Sequence, residues 1–269
     1  MKLLISTMFM LNSKIVNTVV ILILLIVGPS INAQTFGFGC LGFFGGYGGY
    51  TYQSLDASGL NTFVMNFNET HSTALESPLE EYSDIFGYRV GINFFRANWQ
   101  AGLVITLKGY YQSLLQSRET VLVDATLGNI NKEYELALKN WAVGIDVGFN
   151  ITSFLSWKIF DVAIHFNNVS LTNTSDTQNG TEVTKYKSDP GLIGYSVGTG
   201  VIISIIRDYV SIEGLAGYTF LRVEDLKTDE GRLFLEDPPD NVDLPAAHGN
   251  FIESGGFTAE VQLNVGFPL

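Results

Sequence analysis

The final segment of the chain alternates between apolar and polar residues without a break. Every second residue is apolar: Phe257, Ala259, Val261, Leu263, Val265 and Phe267. The residues between them are Thr258, Glu260, Gln262, Asn264 and Gly266. A period of two places these two sets on opposite faces of a β-strand. The pattern therefore predicts a strand with one wholly apolar face, which must be covered either by protein or by lipid.

The start of the chain has the features of a secretory signal peptide. Two lysines supply positive charge, an apolar core occupies 15–28, and the tripeptide at 31–33 precedes a plausible cleavage site. The core is shorter than the roughly 20 residues that a membrane-spanning helix needs. We therefore predict a signal peptide at 1–33 and a single mature domain at 34–269, located outside the cytoplasm.

Composition narrows the classes of fold and partner. The chain has 27 acidic and 15 basic residues, a net charge of −12, which disfavours nucleic acid as a partner because its phosphates are bound through clusters of Lys and Arg. One cysteine excludes an internal disulfide. The 28 glycines and the 13% of aromatic residues favour β structure. No apolar run after the leader is long enough for a membrane helix, so a mature domain inside a membrane must cross it as a closed sheet.

Alternation recurs in about eight segments. They lie at 35–53, 86–94, 99–111, 134–150, 160–167, 193–205, 210–220 and 257–267. Short turns, such as one at 96–98, follow every second segment, and long polar links follow the others. The long links lie at 54–84, 113–132, 173–189 and 224–253. Short turns at one rim and long loops at the other are typical of outer-membrane barrels. We also expect a bulge or an irregular rim near Lys139 and a change of phase near Asn168, where apolar residues leave the alternating pattern.

The polar face of these segments carries most of their charge. Its candidate residues are Arg89, Lys108, Asp146, Asp161, His165, Glu213 and Glu260. Charges inside a narrow barrel need partners or water, so we predict a polar network in the barrel interior. The leader, the low charge of the segments and the aromatic residues at their ends orient the apolar face outward. Those aromatic residues are Phe36, Phe86, Trp99, Trp157, Tyr218 and Phe267. The predicted fold is an all-β, antiparallel, up-and-down transmembrane β-barrel of about eight strands.

With these features, the region 34–269 resembles the small eight-stranded outer-membrane β-barrel proteins of Gram-negative bacteria, the OmpA/OmpX-like class. The resemblance rests on the leader, the rhythm of strands and loops, and the terminal strand. It implies that the mature protein lies in the cell outer membrane after cleavage of the signal peptide. A fold of this kind leaves the function open.

Motifs that could carry chemistry each have a simpler structural explanation. The glycine-rich motif at 37–42 has the spacing of a dinucleotide site but sits inside a strand-like segment without a following helix. His165 is followed two positions later by Asn167, where lipid-deacylating barrel enzymes would need a serine. Three histidines in separate segments give no zinc spacing, and the acidic residues of 224–243 match no calcium loop. The apolar residues at 60–67 predict either a cap over the barrel or a short amphipathic helix.

We therefore expect a non-enzymatic scaffold that displays surface loops and has no cofactor, no metal site and no catalytic residues. Its expected partners are outer-membrane lipids and an extracellular or periplasmic protein, and not nucleic acid. The first alternative is a narrow, porin-like pore or transporter for small solutes. A lipid-modifying barrel enzyme and a secreted soluble barrel that binds an apolar ligand are further alternatives.

Overall fold

The structure is a computed structural model, and it describes residues 44–98, 102–124, 128–206, 209–235 and 249–267. The predicted signal peptide at 1–33 lies outside the described residues. The strands are β1 (Phe44–Ser54), β2 (Asp84–Asn98), β3 (Leu103–Asp124), β4 (Gly128–Asn150), β5 (Leu155–Thr177), β6 (Gly180–Lys187), β7 (Leu192–Ile206), β8 (Val210–Phe220) and β9 (Phe257–Phe267). A helix, α1 (Ser58–Thr70), lies between β1 and β2.

The strands form one antiparallel sheet that closes on itself. β1 pairs with β2 at one edge and with β9 at the other. The remaining neighbours follow in the order β9–β8–β7–β5–β4–β3–β2. β7 pairs with the first part of β5 and β6 with its last part, so β6 and β7 share one place in the barrel. The barrel therefore has eight strands, which confirms the predicted antiparallel fold.

The outer surface of the barrel is an apolar belt. Trp141 is 66% exposed, Ile193 61% and Val261 62%, and such large exposed side chains are tolerated together only in lipid. Aromatic residues lie at both edges of the belt, including Trp157 near one end of β5 and Phe166 midway along the same strand. Strands rise by about 3.3 Å per residue and tilt by about 40°, so these two residues lie about 20–25 Å apart across the belt. The belt therefore has the height of a membrane core, and the barrel is a transmembrane one.

Two of the four predicted long loops are instead strands. The link predicted at 113–132 belongs to β3 and β4, which remain paired up to Asp124 and Gly128. The link predicted at 173–189 consists mostly of the end of β5 and of β6. The prediction is wrong because a polar outer face was equated with a loop. Beyond the membrane a strand faces water on its outer side and needs polar residues there.

The turn predicted at 96–98 is also displaced, because β2 continues through Asn98 and β3 begins at Leu103. The bulge expected near Lys139 and the phase change expected near Asn168 are both absent from the described strands, whose register is continuous at these points. The apolar residues that suggested them point into the barrel. They are Leu136 and Leu138 on β4, and Val169 and Leu171 on β5. The register thus stays constant, and it is the environment of the two faces that changes.

These inward apolar residues belong to a second core beyond the belt. In this part of the chain the interior is apolar and the outer face is polar, as in a soluble protein. The core includes Leu60, Val64, Tyr82, Ile85, Leu114, Leu122, Tyr134, Leu136, Leu138, Val169, Leu171, Leu221, Val223, Leu226, Phe251 and Ile252. Helix α1 contributes its buried face to this core, so the predicted amphipathic helix is present and covers the mouth of the barrel.

Loop residues hold α1 in place through backbone contacts. The first N–H groups of the helix lack partners within it, and here Gly59 and Leu60 donate to the carbonyls of Asn250 (3.1 Å) and Phe251 (3.4 Å). On the other side, the amide of Asn61 accepts from the Tyr82 N–H at 2.7 Å and donates to the Tyr82 carbonyl at 2.8 Å. The helix is therefore fixed to both flanking loops. No helix in the described part of the chain has both the length and the apolarity to span a bilayer.

Candidate functional site

The polar residues singled out in the sequence lie together inside the membrane-spanning part of the barrel. All seven are buried: Arg89, Lys108, Asp146, Asp161, His165, Glu213 and Glu260. Period-two alternation explains this placement, because each follows or precedes an apolar residue that faces the lipid. The charged residues among them form two groups, one around lysine side chains and one around Arg89.

The first group surrounds a residue that the sequence analysis missed. Lys158 lies on β5 with its ammonium 3.1 Å from an Asp146 carboxylate oxygen and 3.3 Å from an Asp161 oxygen, and it also forms an ion pair with Glu213. Lys108 forms a second ion pair with Asp161. Every one of these groups is less than 10% exposed. Since buried charges are stable only with close partners, Lys158 is the cation that makes three carboxylates tolerable here.

A β-bulge brings Lys158 into the barrel. On the neighbouring strand, Val147 pairs with Phe160 and Gly148 with Lys158, which leaves Ile159 as an extra residue. In a regular strand, Lys158 and Phe160 would lie on the same face, because they are two positions apart. A signal was present in the sequence, because the lipid-facing residues Trp157 and Phe160 are three positions apart, and strict alternation forbids that spacing.

The carbonyl of Lys158, at the bulge, belongs to a small polar cluster. Thr199 on β7 donates its hydroxyl to the Lys158 carbonyl at 2.7 Å. Trp157 in turn donates its indole N–H to the Thr199 oxygen at 3.1 Å. An uncovered carbonyl in the membrane costs free energy, so these two contacts stabilise the bulge that delivers Lys158.

The second group is built around Arg89 on β2. Its guanidinium donates two hydrogen bonds to Gln112 Oε1, at 3.0 and 2.7 Å, and forms an ion pair with Glu260. The Tyr110 ring lies against the guanidinium, with 4.1 Å from Cζ to the ring centre. Such a cation–π contact adds to the ion pair in a desolvated site. Arg89 therefore connects three strands and is held on several sides.

His165 lies next to a serine, although not the one nearest in sequence. Its Nε2 is 2.8 Å from Ser196 Oγ and 3.3 Å from the Tyr110 hydroxyl. Catalytic serine–histidine pairs use a third group to orient the imidazole, and here Nδ1 has no hydrogen-bond partner among the described residues. The imidazole is 1% exposed and faces the filled interior. The arrangement is that of a packed interior histidine.

The packing inside the barrel differs between the two sides of this network. On the loop side, the apolar core and α1 fill the mouth. On the short-turn side, a cavity of about 20 Å³ lies beside Asp146, Lys158, Thr106 and Trp157, which is room for about one water molecule. No group of three or more metal-ligating side chains suited to an ion occurs in the described ranges.

Above the belt, β3, β4, β5 and β6 form a projecting sheet. β4 extends 13 residues beyond Trp141 to Gly128, which is about 43 Å along the strand. The base of this sheet is anchored by Tyr82, which donates its hydroxyl to the Tyr134 carbonyl at 2.7 Å. Burial raises the pKa of Tyr82, which keeps the phenol neutral and able to donate.

No family model matches the chain, and no curated protein matches its sequence. Among solved structures, Ail, the attachment invasion locus protein of Yersinia pestis, is 10% identical with a TM-score of 0.33, over 85% of this chain and 99% of Ail. The outer membrane protease OmpT from Escherichia coli is 8% identical with a TM-score of 0.39, over 87% of this chain and 99% of OmpT. The chain is similar to these outer-membrane barrels, and its own closed sheet of eight antiparallel strands establishes the fold.

Proposed function

We propose that this protein is a non-enzymatic outer-membrane scaffold that presents its projecting sheet and loops to partners outside the cell. The observation that carries the proposal is the contrast between the two halves of the molecule. The half inside the membrane is filled by a buried ion network and is covered on the loop side by the core around α1, whereas the half beyond it extends strands far from the lipid. A barrel built in this way supports display better than transport.

The packing inside the barrel supports the scaffold over a pore. An eight-stranded barrel has an interior just wide enough for its own side chains. In this chain, long charged side chains meet across that interior, as Lys158 does with Glu213 and Arg89 with Glu260. Conduction would require these ion pairs to open and the core around α1 to leave the mouth, which would cost both sets of contacts together.

The apolar belt supports outer-membrane lipids as the first partner. The expected second partner is an extracellular protein that contacts the projecting sheet, because that sheet holds the ordered residues farthest from the belt. Nucleic acid is not expected, since the chain is acidic overall and buries three of its basic side chains, Arg89, Lys108 and Lys158, in ion pairs.

The proposal is tested with the full chain expressed in a Gram-negative host. We expect the protein in the outer-membrane fraction, with a different electrophoretic mobility before and after boiling in SDS. In planar bilayers we expect no discrete conductance steps. As a control, a double variant with Lys158→Ala and Arg89→Ala removes two cations of the interior network and tests whether that network blocks conduction. Steady single-channel currents from the wild-type protein would contradict the scaffold and favour the pore.

A further inference from the structure

The outermost strand of the projecting sheet has an exposed edge. β6 pairs with β5 from Lys187↔Ser170 to Gly180↔Thr177, and it ends the order of strands on that side. Val183, at the centre of β6, is 60% exposed. An exposed strand edge offers unpaired backbone groups to another strand. The opposite edge of the sheet, on β3, is instead covered by a segment that includes Leu75, which bridges to Leu122.

Backbone contacts at the base of β6 show which of its residues have free groups. Lys187 donates its N–H to the Lys227 carbonyl at 2.8 Å, and Lys227 donates back to the Lys187 carbonyl at 2.8 Å. The backbone groups of Lys187 therefore point away from β5. Since these groups alternate in direction along a strand, those of Thr181, Val183 and Lys185 point the same way. These three residues pair with β5 in the ladder, and no described backbone group outside β5 hydrogen-bonds to them.

We propose that β6 is a homophilic adhesion site, which pairs antiparallel with β6 of a second copy in a facing membrane. The two projecting sheets then join into one sheet through six backbone hydrogen bonds. The inference rests on the proposed function, because it assigns a partner to the surface that the scaffold displays. The occupant is a second copy of this chain, and three features of β6 lead to that choice.

The first feature is a single favourable register. Free residues must face free residues, and centring the pair on Val183 matches all three: Val183 with Val183, and Thr181 with Lys185 in both directions. This register gives six hydrogen bonds. A shift of the centre to position 182 or 184 keeps only two matched pairs and four hydrogen bonds, because Lys187 is already occupied by Lys227.

The second feature is the charge pattern in that register. Lys185 lies opposite Thr181, and Glu182 lies opposite Thr184, so like charges never face each other. In the register centred on position 182, two Glu182 carboxylates would lie directly opposite, which destabilises a pair of strands. Charge therefore disfavours the register centred on position 182 and is compatible with the register that hydrogen bonding favours.

The third feature is the direction of β6 relative to the membrane. β5 leads away from the belt and β6 returns towards it, so β6 runs in the same sense in every copy within one membrane. Antiparallel pairing needs opposite senses, and only copies in two facing membranes provide them. An antiparallel β6–β6 pair therefore joins copies in two facing membranes.

The test uses the full-length protein in lipid vesicles, with fluorescent vesicles captured on immobilised vesicles that carry the same protein. Wild-type vesicles should bind to each other and not to protein-free vesicles. Since Val183 faces its own copy, Val183→Lys should lower capture about tenfold or more through multivalent contacts, and Val183→Glu should do the same. Mixing the Lys vesicles with the Glu vesicles should restore capture to near the wild-type level, because opposite charges then face each other.

Val123→Lys is the matched control, because Val123 is a similarly exposed valine on the outer face of β3, at the opposite side of the sheet from β6. It should leave capture unchanged. Heat-modifiable mobility of every variant checks that the barrel is folded. Absence of capture between wild-type vesicles, or equal capture by vesicles that carry only Val183→Lys, would overturn the homophilic site. Failure of the scaffold is recognised separately, by conductance or by absence from the outer membrane.

Discussion

Replacing Lys158 by methionine tests whether the interior ion network holds the barrel together. Methionine has a similar length and no charge, so the change removes one cation and little volume. Arg89 would still pair with Glu260, and Lys108 with Asp161. In the wild-type protein the Lys158 ammonium lies 3.1 Å from an Asp146 oxygen. The variant therefore removes the nearest cation from the carboxylates of Asp146 and Glu213. The expected result is a large loss of stability with the fold preserved.

The size of the loss can be bounded from both sides. Removing one partner of a buried ion pair costs about 3–5 kcal/mol in other proteins. The barrel can limit the cost by protonating the orphaned carboxyls. Each protonation at pH 7 costs about 4 kcal/mol for a group with a reference pKa near 4, so protonating both costs about 8 kcal/mol. We therefore expect the free energy of unfolding to fall by at least about 3 kcal/mol and by no more than about 8 kcal/mol.

The assay is unfolding by urea in lipid vesicles, followed by tryptophan fluorescence. Combining Lys158→Met with Asp146→Asn and Glu213→Gln removes the orphaned charges and should recover most of the lost stability. Lys139→Met, on the exposed outer face of β4, is the control and should change the unfolding free energy by less than about 0.5 kcal/mol. A single Lys158→Met variant as stable as the wild type would refute the assignment of Lys158 as the central cation.

Other features give predictions of the same kind. Leu60→Ala, on the buried face of α1, should lower the free energy of unfolding by about 2–5 kcal/mol. It should also speed proteolysis of the projecting half in vesicles. Met65→Ala, on the exposed face of the helix, should have neither effect. Deleting Ile159 removes the extra residue and restores strict alternation from Trp157 to Asp161, so Lys158 and Phe160 should keep their faces and we expect a normal heat-modifiable band; loss of the band would contradict the assignment of Ile159 as the bulge residue. Val261→Arg in the belt should cost about 2–4 kcal/mol in vesicles, and Thr174→Arg, above the belt, should cost almost nothing.

The fold within the membrane could be predicted because two simple constraints act on every strand there. Side chains alternate between faces, and lipid demands apolar residues on one of them. The alternation in segments such as 193–205 and 257–267 therefore predicts both that they are strands and which of their faces meets the lipid. The inward position of Arg89 or Glu213 follows from the same rule, without knowledge of any contact.

The projecting half could not be predicted in the same way. Once a strand leaves the lipid, its outer face becomes polar and its inner face apolar, so the alternation continues with the opposite meaning. Leu136 and Trp141 belong to the same strand, yet one points into a core and the other into the membrane. If one environment is assumed for the whole chain, this reversal is mistaken for a loop or for a bulge.

The sequence by itself determined the strand pattern, the apolar belt and which polar residues face inward, because these depend only on local periodicity and on the solvent around each strand. Tertiary structure alone decided how the residues meet. Lys158 enters the network through a one-residue bulge. Helix α1 is held over the mouth of the barrel by carbonyls of residues far along the chain. β6 is an edge strand because β7, and not β6, continues the barrel next to β5. These features depend on register between distant segments, and local periodicity carries no information about register.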